Sequence, residues 1–210
     1  MSSRRTEAFS DGVFAIAITL LVLDLAVPAH EEAARVGLAH ALASEWPAYF
    51  AYLVSFLVIG IIWVNHHAVF DRVRFVDRPV LFANLLLLLT VSLIPFPTRL
   101  LADYLTSGEG SHVAAAVYSA TMLAMGLSYA LLWATLSRDR RLLHEDIDPS
   151  ARRTGLIRFA LGNVVYVATI GLSFVNATLT LAVHGAIAIY YCFDQLPSIG
   201  PATAEPDAAE

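Results

Sequence analysis

Long apolar runs fill this chain, and polar residues cluster in the short intervals between them. The first run, AFSDGVFAIAITLLVLDLAV, covers about Ala8 to Val27 and stops at Pro28, which has no backbone N–H to continue a helix. The second runs from about Trp46 to Phe70, with Trp46-Pro47 at its start and Trp63 near its far end, as expected of aromatic residues at the two membrane interfaces. The third follows Pro79, passes through the leucines 85–89 and reaches Leu101; Pro95 and Pro97 predict a kink or a break in it. The fourth spans about His112 to Leu136, and the stretch from Gly155 to Phe193 divides into a fifth and a sixth run near Ser173 to Asn176. Each run approaches the ~20 residues that cross a ~30 Å hydrocarbon core at 1.5 Å per residue. The expectation is an all-α membrane protein with six transmembrane helices in one domain over residues 1–196. Residues 197–210, rich in Pro, Ala and acid, read as a disordered tail.

Composition changes this picture little. With 58% hydrophobic and 15% charged residues and a mean hydropathy of +0.65, a water-soluble fold of 210 residues would carry more apolar surface than it could bury, so the lipid bilayer is the expected solvent. The single cysteine, Cys192, excludes an intrachain disulfide. The first run lacks a small-residue cleavage site and reads as a retained helix.

Charge adds an orientation. All 13 basic residues are arginines, and they cluster. Arg4 and Arg5 precede the first run, Arg72, Arg74 and Arg78 follow the second, and Arg138, Arg140, Arg141, Arg152, Arg153 and Arg158 follow the fourth. The alternate intervals carry only Arg35 and Arg99 against Glu31, Glu32, Glu45, Asp103 and Glu109. Because arginine near span ends stays on the cytoplasmic side, both termini are expected inside a multi-pass protein of the cell membrane. The arginines between the fourth and fifth runs then face lipid headgroups, and no nucleic-acid partner is expected.

Polar residues within the first run are the next signal. At 100° per residue, Phe9, Ile16 and Leu23 fall on one line, flanked by Thr19 and Leu20. Asp11 points roughly 140° away from Ile16. A carboxylate at membrane depth needs a protein partner, and Asn65, His66, His67 and Asn84 lie at matching depth. Two plainer readings stand beside this one: Ser10-Asp11-Gly12 as a helix cap at the interface, and the aliphatic stripe as ordinary helix packing. Adjacent His66 and His67 face different directions and lack a third ligand at useful spacing, so no metal site is expected. His184 and Asn163 read as polar residues bonded to a neighbouring helix. No phosphate loop or nucleophile–histidine spacing is present, which argues against an enzyme and against a cofactor.

Arg5, Phe9, Ser10 and Asp11 form an Arg-x-x-x-Phe-Ser-Asp motif at the start of the first run. With Trp63, Asn65 and His66, and with Ser92-Leu93-Ile94-Pro95-Phe96-Pro97-Thr98, the chain resembles the endolysosomal-type potassium channels and their prokaryotic relatives over essentially its whole length. The resemblance implies a homotetramer around a central pore that passes potassium ions. It further implies that Ile16 and Leu23 form aliphatic constrictions and that Thr19 sits between them, with Leu20 able to share its place; from its position alone, next to Leu23 at the outer end, Asp24 is expected to ring the outer mouth if four chains assemble. Arg5, Asp11, Asn65, His66 and Asn84 would then hold helix ends in register. The alternative is a proton-coupled secondary transporter in which Asp11 and the histidines of the second run relay protons.

Overall fold

The computed structural model describes residues 3–143 and 149–193, so the expected tail at 197–210 lies outside the described residues. Among them the chain is helical: α1 (Ser3–Leu20), α2 (His30–Val36), α3 (Leu38–Ser44), α4 (Trp46–Phe70), α5 (Arg78–Leu93), α6 (Pro95–Tyr104), α7 (Glu109–Ser137), α8 (Pro149–Ser173) and α9 (Ala177–Phe193). The segments Ser3–Asp24, Trp46–Phe70, Arg78–Tyr104 and Gly110–Ser137 are each long and apolar enough to cross a membrane; Ala160–Ser173 and Ala177–Cys192 are shorter apolar helices.

The second run matches α4 end for end, and the break between α8 and α9 falls in the 173–176 stretch where the sequence places it. The first run differs at both ends. Its helix begins at Ser3 and tightens into a 3-10 turn over Leu21–Asp24, and Leu25 is already extended, so the helix stops before Pro28. Pro95 separates α5 from α6: it cannot donate a backbone hydrogen bond, and Ile94 bonds back to Val91 O at 3.1 Å in a tightened turn. The Ile94 carbonyl accepts twice from Thr98, from its N–H at 3.1 Å and from its hydroxyl at 2.8 Å.

Two short helices, α2 and α3, occupy the interval between the first two long helices, joined at Gly37 with φ 87°, a left-handed conformation that glycine adopts without a Cβ penalty. Asp77 caps α5 by accepting from Val80 N–H at 3.0 Å, and its other carboxylate oxygen pairs with Arg138. Arg74 N–H donates to Leu142 O at 2.8 Å, beside an antiparallel bridge between Val73 and Leu143. The arginine-bearing intervals after α4 and after α7 are thereby pinned to each other.

α7 organises the interior. Tyr118, Met122, Met125, Tyr129, Leu132 and Leu136 recur every three or four residues and are all buried, as α7 packs against α5, α6, α8 and α9. Inside this core Ser55 Oγ lies 2.7 Å from Thr98 Oγ1 and 3.0 Å from Tyr118 Oη, joining α4, α6 and α7. His184 of α9 bonds Ser119 of α7 at 2.9 Å. α1 lies on the other side of the molecule, against α4 and α5.

Candidate functional site

One face of α1 is buried and polar at its start. Thr6, Ser10, Phe14, Ala17 and Leu21 recur every three or four residues and turn toward α4 and α5. Ser10, fully buried, donates to Thr6 O at 2.9 Å and accepts from Asn84 Nδ2 of α5 at 3.0 Å. With its amide hydrogens aimed at Ser10, Asn84 turns its Oδ1 to His66 Nε2 of α4 at 2.9 Å, so Nε2 carries the proton in this bond. The His66 ring is held between Phe14 and Phe70, with centroids 5.3 and 4.3 Å away. Ser10, Asn84 and His66 therefore join three helices by buried hydrogen bonds, at a depth where no water competes.

A second set runs along the flank where α1 meets α4. Asp11 Oδ1 accepts from Trp63 Nε1–H at 2.9 Å, and Glu7 Oε1 lies 2.9 Å from His67 Nδ1. Glu7 and Asp11 are four residues apart on α1, and Trp63 and His67 are four apart on α4; the pairing 7 to 67 and 11 to 63 is that of two antiparallel helices. This spacing was the available sign that Glu7 belongs with Asp11. The same region gathers Glu7, His67 and Asp71 within 4.8 Å of one another, with His67 Nε2 3.7 Å from Asp71. Both ring nitrogens of His67 thus already face carboxylates.

Two residues of the motif set sit elsewhere. Arg5 is exposed and bonds to no described residue. Asn65, one residue from His66 and so about 100° around the helix, turns from α1 to a cavity that it shares with Asn163 and Tyr166 of α8.

The opposite face of α1 and of the 3-10 turn that follows it has no partner among the described residues. Phe9, Ile16 and Leu23 are 57%, 62% and 73% exposed, whereas Phe14, Ala17 and Leu21 on the packed face are at most 2% exposed. Thr19 and Leu20 are exposed beside them. The Thr19 hydroxyl donates back to Ala15 O at 2.8 Å and lies 3.0 Å from Ile16 O. Its proton is therefore committed to the helix, and the oxygen presents lone pairs outward. At the far end Asp24 lies 3.7 Å from Arg99 of α6, which lies 3.7 Å from Asp103. The Asp24 carboxylate is thus partly sheltered and shares a cation.

The family model described as the endosomal/lysosomal potassium channel TMEM175 matches residues 5–95, which include α1 from Arg5 onward and the whole of α4 and α5. A potassium channel of Streptomyces collinus is 56% identical over 195 residues, covering 93% of this chain and 94% of its own. A potassium channel of Chamaesiphon minutus is 42% identical over 187 residues, covering 89% and 92%. The crystal structure of a lysosomal potassium-selective channel TMEM175 homologue from Chamaesiphon minutus superposes with a TM-score of 0.82 at 40% identity, over 90% of this chain and 96% of that one. With identity this high across nearly the full length of both chains, and the same fold in a solved relative, the chain belongs to the TMEM175 family.

Proposed function

We propose that this protein is a potassium-permeable leak channel in which four copies surround one pore lined by α1. The observation that carries the reading is the two-sided character of α1: one face is fastened to α4 and α5, and the other offers Ile16, Thr19 and Leu23 to whatever lies outside the protomer. Relatives named as potassium channels support the ion, and the homologous solved structure supports the same arrangement of helices.

The chemistry follows from the side chains. A ring of Ile16 offers no oxygen, so a cation that passes it sheds part of its water unaided. Potassium holds water less tightly than sodium and is favoured, with modest selectivity. Thr19 oxygens replace some of the lost ligands, which fits a hydroxyl whose proton is turned into the helix. Leu20 flanks that ring and Leu23 forms a second apolar one. A narrow apolar ring also dewets, which closes the path without a moving gate. Asp24 raises the local cation concentration at the outer mouth, weakened there by Arg99.

The supporting residues act at a distance. Ser10, Asn84 and His66, with Asp11 and Trp63, fix the azimuth of α1 and thus the direction in which Ile16 points; Phe9 begins the exposed face. The arginine-bearing intervals, pinned together on one side, support cytoplasmic termini in a plasma-membrane protein. The carrier alternative finds less support, because Asp11 is occupied by the Trp63 indole and the relatives are named as channels. The test is potassium flux into liposomes. Ile16→Asn is expected to raise the flux and lower the potassium-to-sodium ratio, and an unchanged ratio contradicts the reading.

A further inference from the structure

A cavity of about 520 Å³ lies away from α1, enclosed by α4, α7, α8 and α9. Its size is that of a small-molecule site, roughly 300–1,000 Å³. The walls are apolar except for tyrosines and the carboxamides of Asn65 and Asn163, and among the described residues no charged one lines it. Neither carboxamide has a hydrogen-bond partner among the described residues. Amide groups at bilayer depth without partners are costly, and a ligand able to donate and accept relieves that cost.

Gly126 of α7 explains how Asn163 comes to sit in the wall. A Cβ at position 126 would meet Asn163 Oδ1 at 2.3 Å, so only glycine leaves room for the carboxamide there. Around the opening, Leu161, Val165 and Tyr190 are 61%, 40% and 60% exposed, and all three belong to the apolar segments of α8 and α9. The opening therefore faces the acyl region of the bilayer. What can reach it is dissolved in lipid.

We propose that this cavity binds a neutral single-chain amphiphile drawn from the membrane, its hydroxyl or carboxamide head bonded to Asn65 and Asn163 and its apolar body along α8 and α9. The described lining, which carries no charge, selects against phosphate, carboxylate and ammonium heads, each of which would lose its water with no counter-charge there to replace it. The two carboxamides select against a plain hydrocarbon.

The probe is a hexadecanol carrying a diazirine, photocrosslinked to the full-length protein in liposomes, with the labelled peptides mapped by mass spectrometry. Label is expected on α8 and α9, displaced by hexadecanol and not by equal amounts of hexadecane or palmitate. Loss of one amide bond weakens binding roughly fivefold, so Asn65→Ala with Asn163→Ala is expected to lower labelling by at least that factor. Gly126→Ala, which displaces the Asn163 carboxamide while leaving it in the sequence, is expected to act in the same direction. Hexadecane competing as well as hexadecanol overturns the proposal on the parent protein alone, whatever the variants do. So does label spread evenly over all lipid-facing helices. The readout is binding and does not depend on conduction.

Discussion

Asn84→Ala is the sharpest perturbation of the polar joint beneath α1. The side chain is 1% exposed and bonds to Ser10 on one side and His66 on the other. Its removal breaks two interhelical hydrogen bonds and leaves the His66 Nε2–H buried without an acceptor. Interhelical bonds inside membranes contribute about 0.6 kcal/mol on average and up to ~1.7 kcal/mol, and a buried donor left without its partner adds about 1–3 kcal/mol. The expected loss is therefore roughly 2–4 kcal/mol. Ser10→Ala orphans only one Asn84 hydrogen and is expected to lose about 1 kcal/mol. Thr19→Ala, on the exposed face, is expected to stay within about 0.5 kcal/mol of the parent. Reversible unfolding of the purified protein in mixed micelles titrated with sodium dodecyl sulfate measures all three. The potassium-to-sodium permeability ratio of surviving Asn84→Ala channels is expected to match the parent, since the Trp63–Asp11 and His67–Glu7 contacts still hold the azimuth of α1 and Asn84 touches no residue of the exposed stripe. The reasoning is refuted by Asn84→Ala within 0.5 kcal/mol (~a twofold change in the unfolding constant) of the parent, or by altered selectivity at unchanged stability.

Other expectations follow from the same contacts. Trp63→Phe removes the donor to Asp11 and is expected to lower stability, with Asp11→Asn adding less in the Trp63→Phe background than in the parent; a double-mutant cycle reads the coupling. Asp24→Asn is expected to reduce cation current at low ionic strength and Arg99→Gln to raise it, both effects fading above about 1 M salt, where the Debye length is ~3 Å. Asp77→Asn keeps an acceptor for the α5 cap and loses the charge facing Arg138, whereas Asp77→Ala loses both; the alanine variant is expected to be less stable by about 1 kcal/mol in the same unfolding titration.

The parts of the fold that could be read in the sequence are those set by hydrophobic length and by proline. α4 was legible because Trp46-Pro47 opens an uninterrupted apolar run, and the break at Ile94 because Pro95 removes a donor. The exposed stripe of α1 was legible from angular spacing alone, since Ile16 and Leu23 share a line that Phe14 and Ala17 do not. Depth, by contrast, says nothing about direction. Asn65 and His66 sit at nearly the same height, yet one faces a cavity between α4 and α8 and the other faces α5. α2 and α3 were missed because seven-residue helices in a polar interval give no sustained period, and the early end of α1 because a 3-10 turn over Leu21–Asp24 looks like continued helix in sequence. The Ser55, Thr98 and Tyr118 contact joins residues far apart in the chain and leaves no local trace.

The central claim is that Ile16 of several copies converges on a shared axis. Ile16→Cys in a Cys192→Ala background tests it most directly, with channel current recorded before and after cadmium. If the side chains meet around a pore, thiolates from neighbouring copies chelate the metal, and block at micromolar cadmium is expected, reversed by a chelator. Unblocked current, together with ready labelling of the same cysteine by a maleimide confined to the bilayer, would turn Ile16 toward lipid and contradict the account.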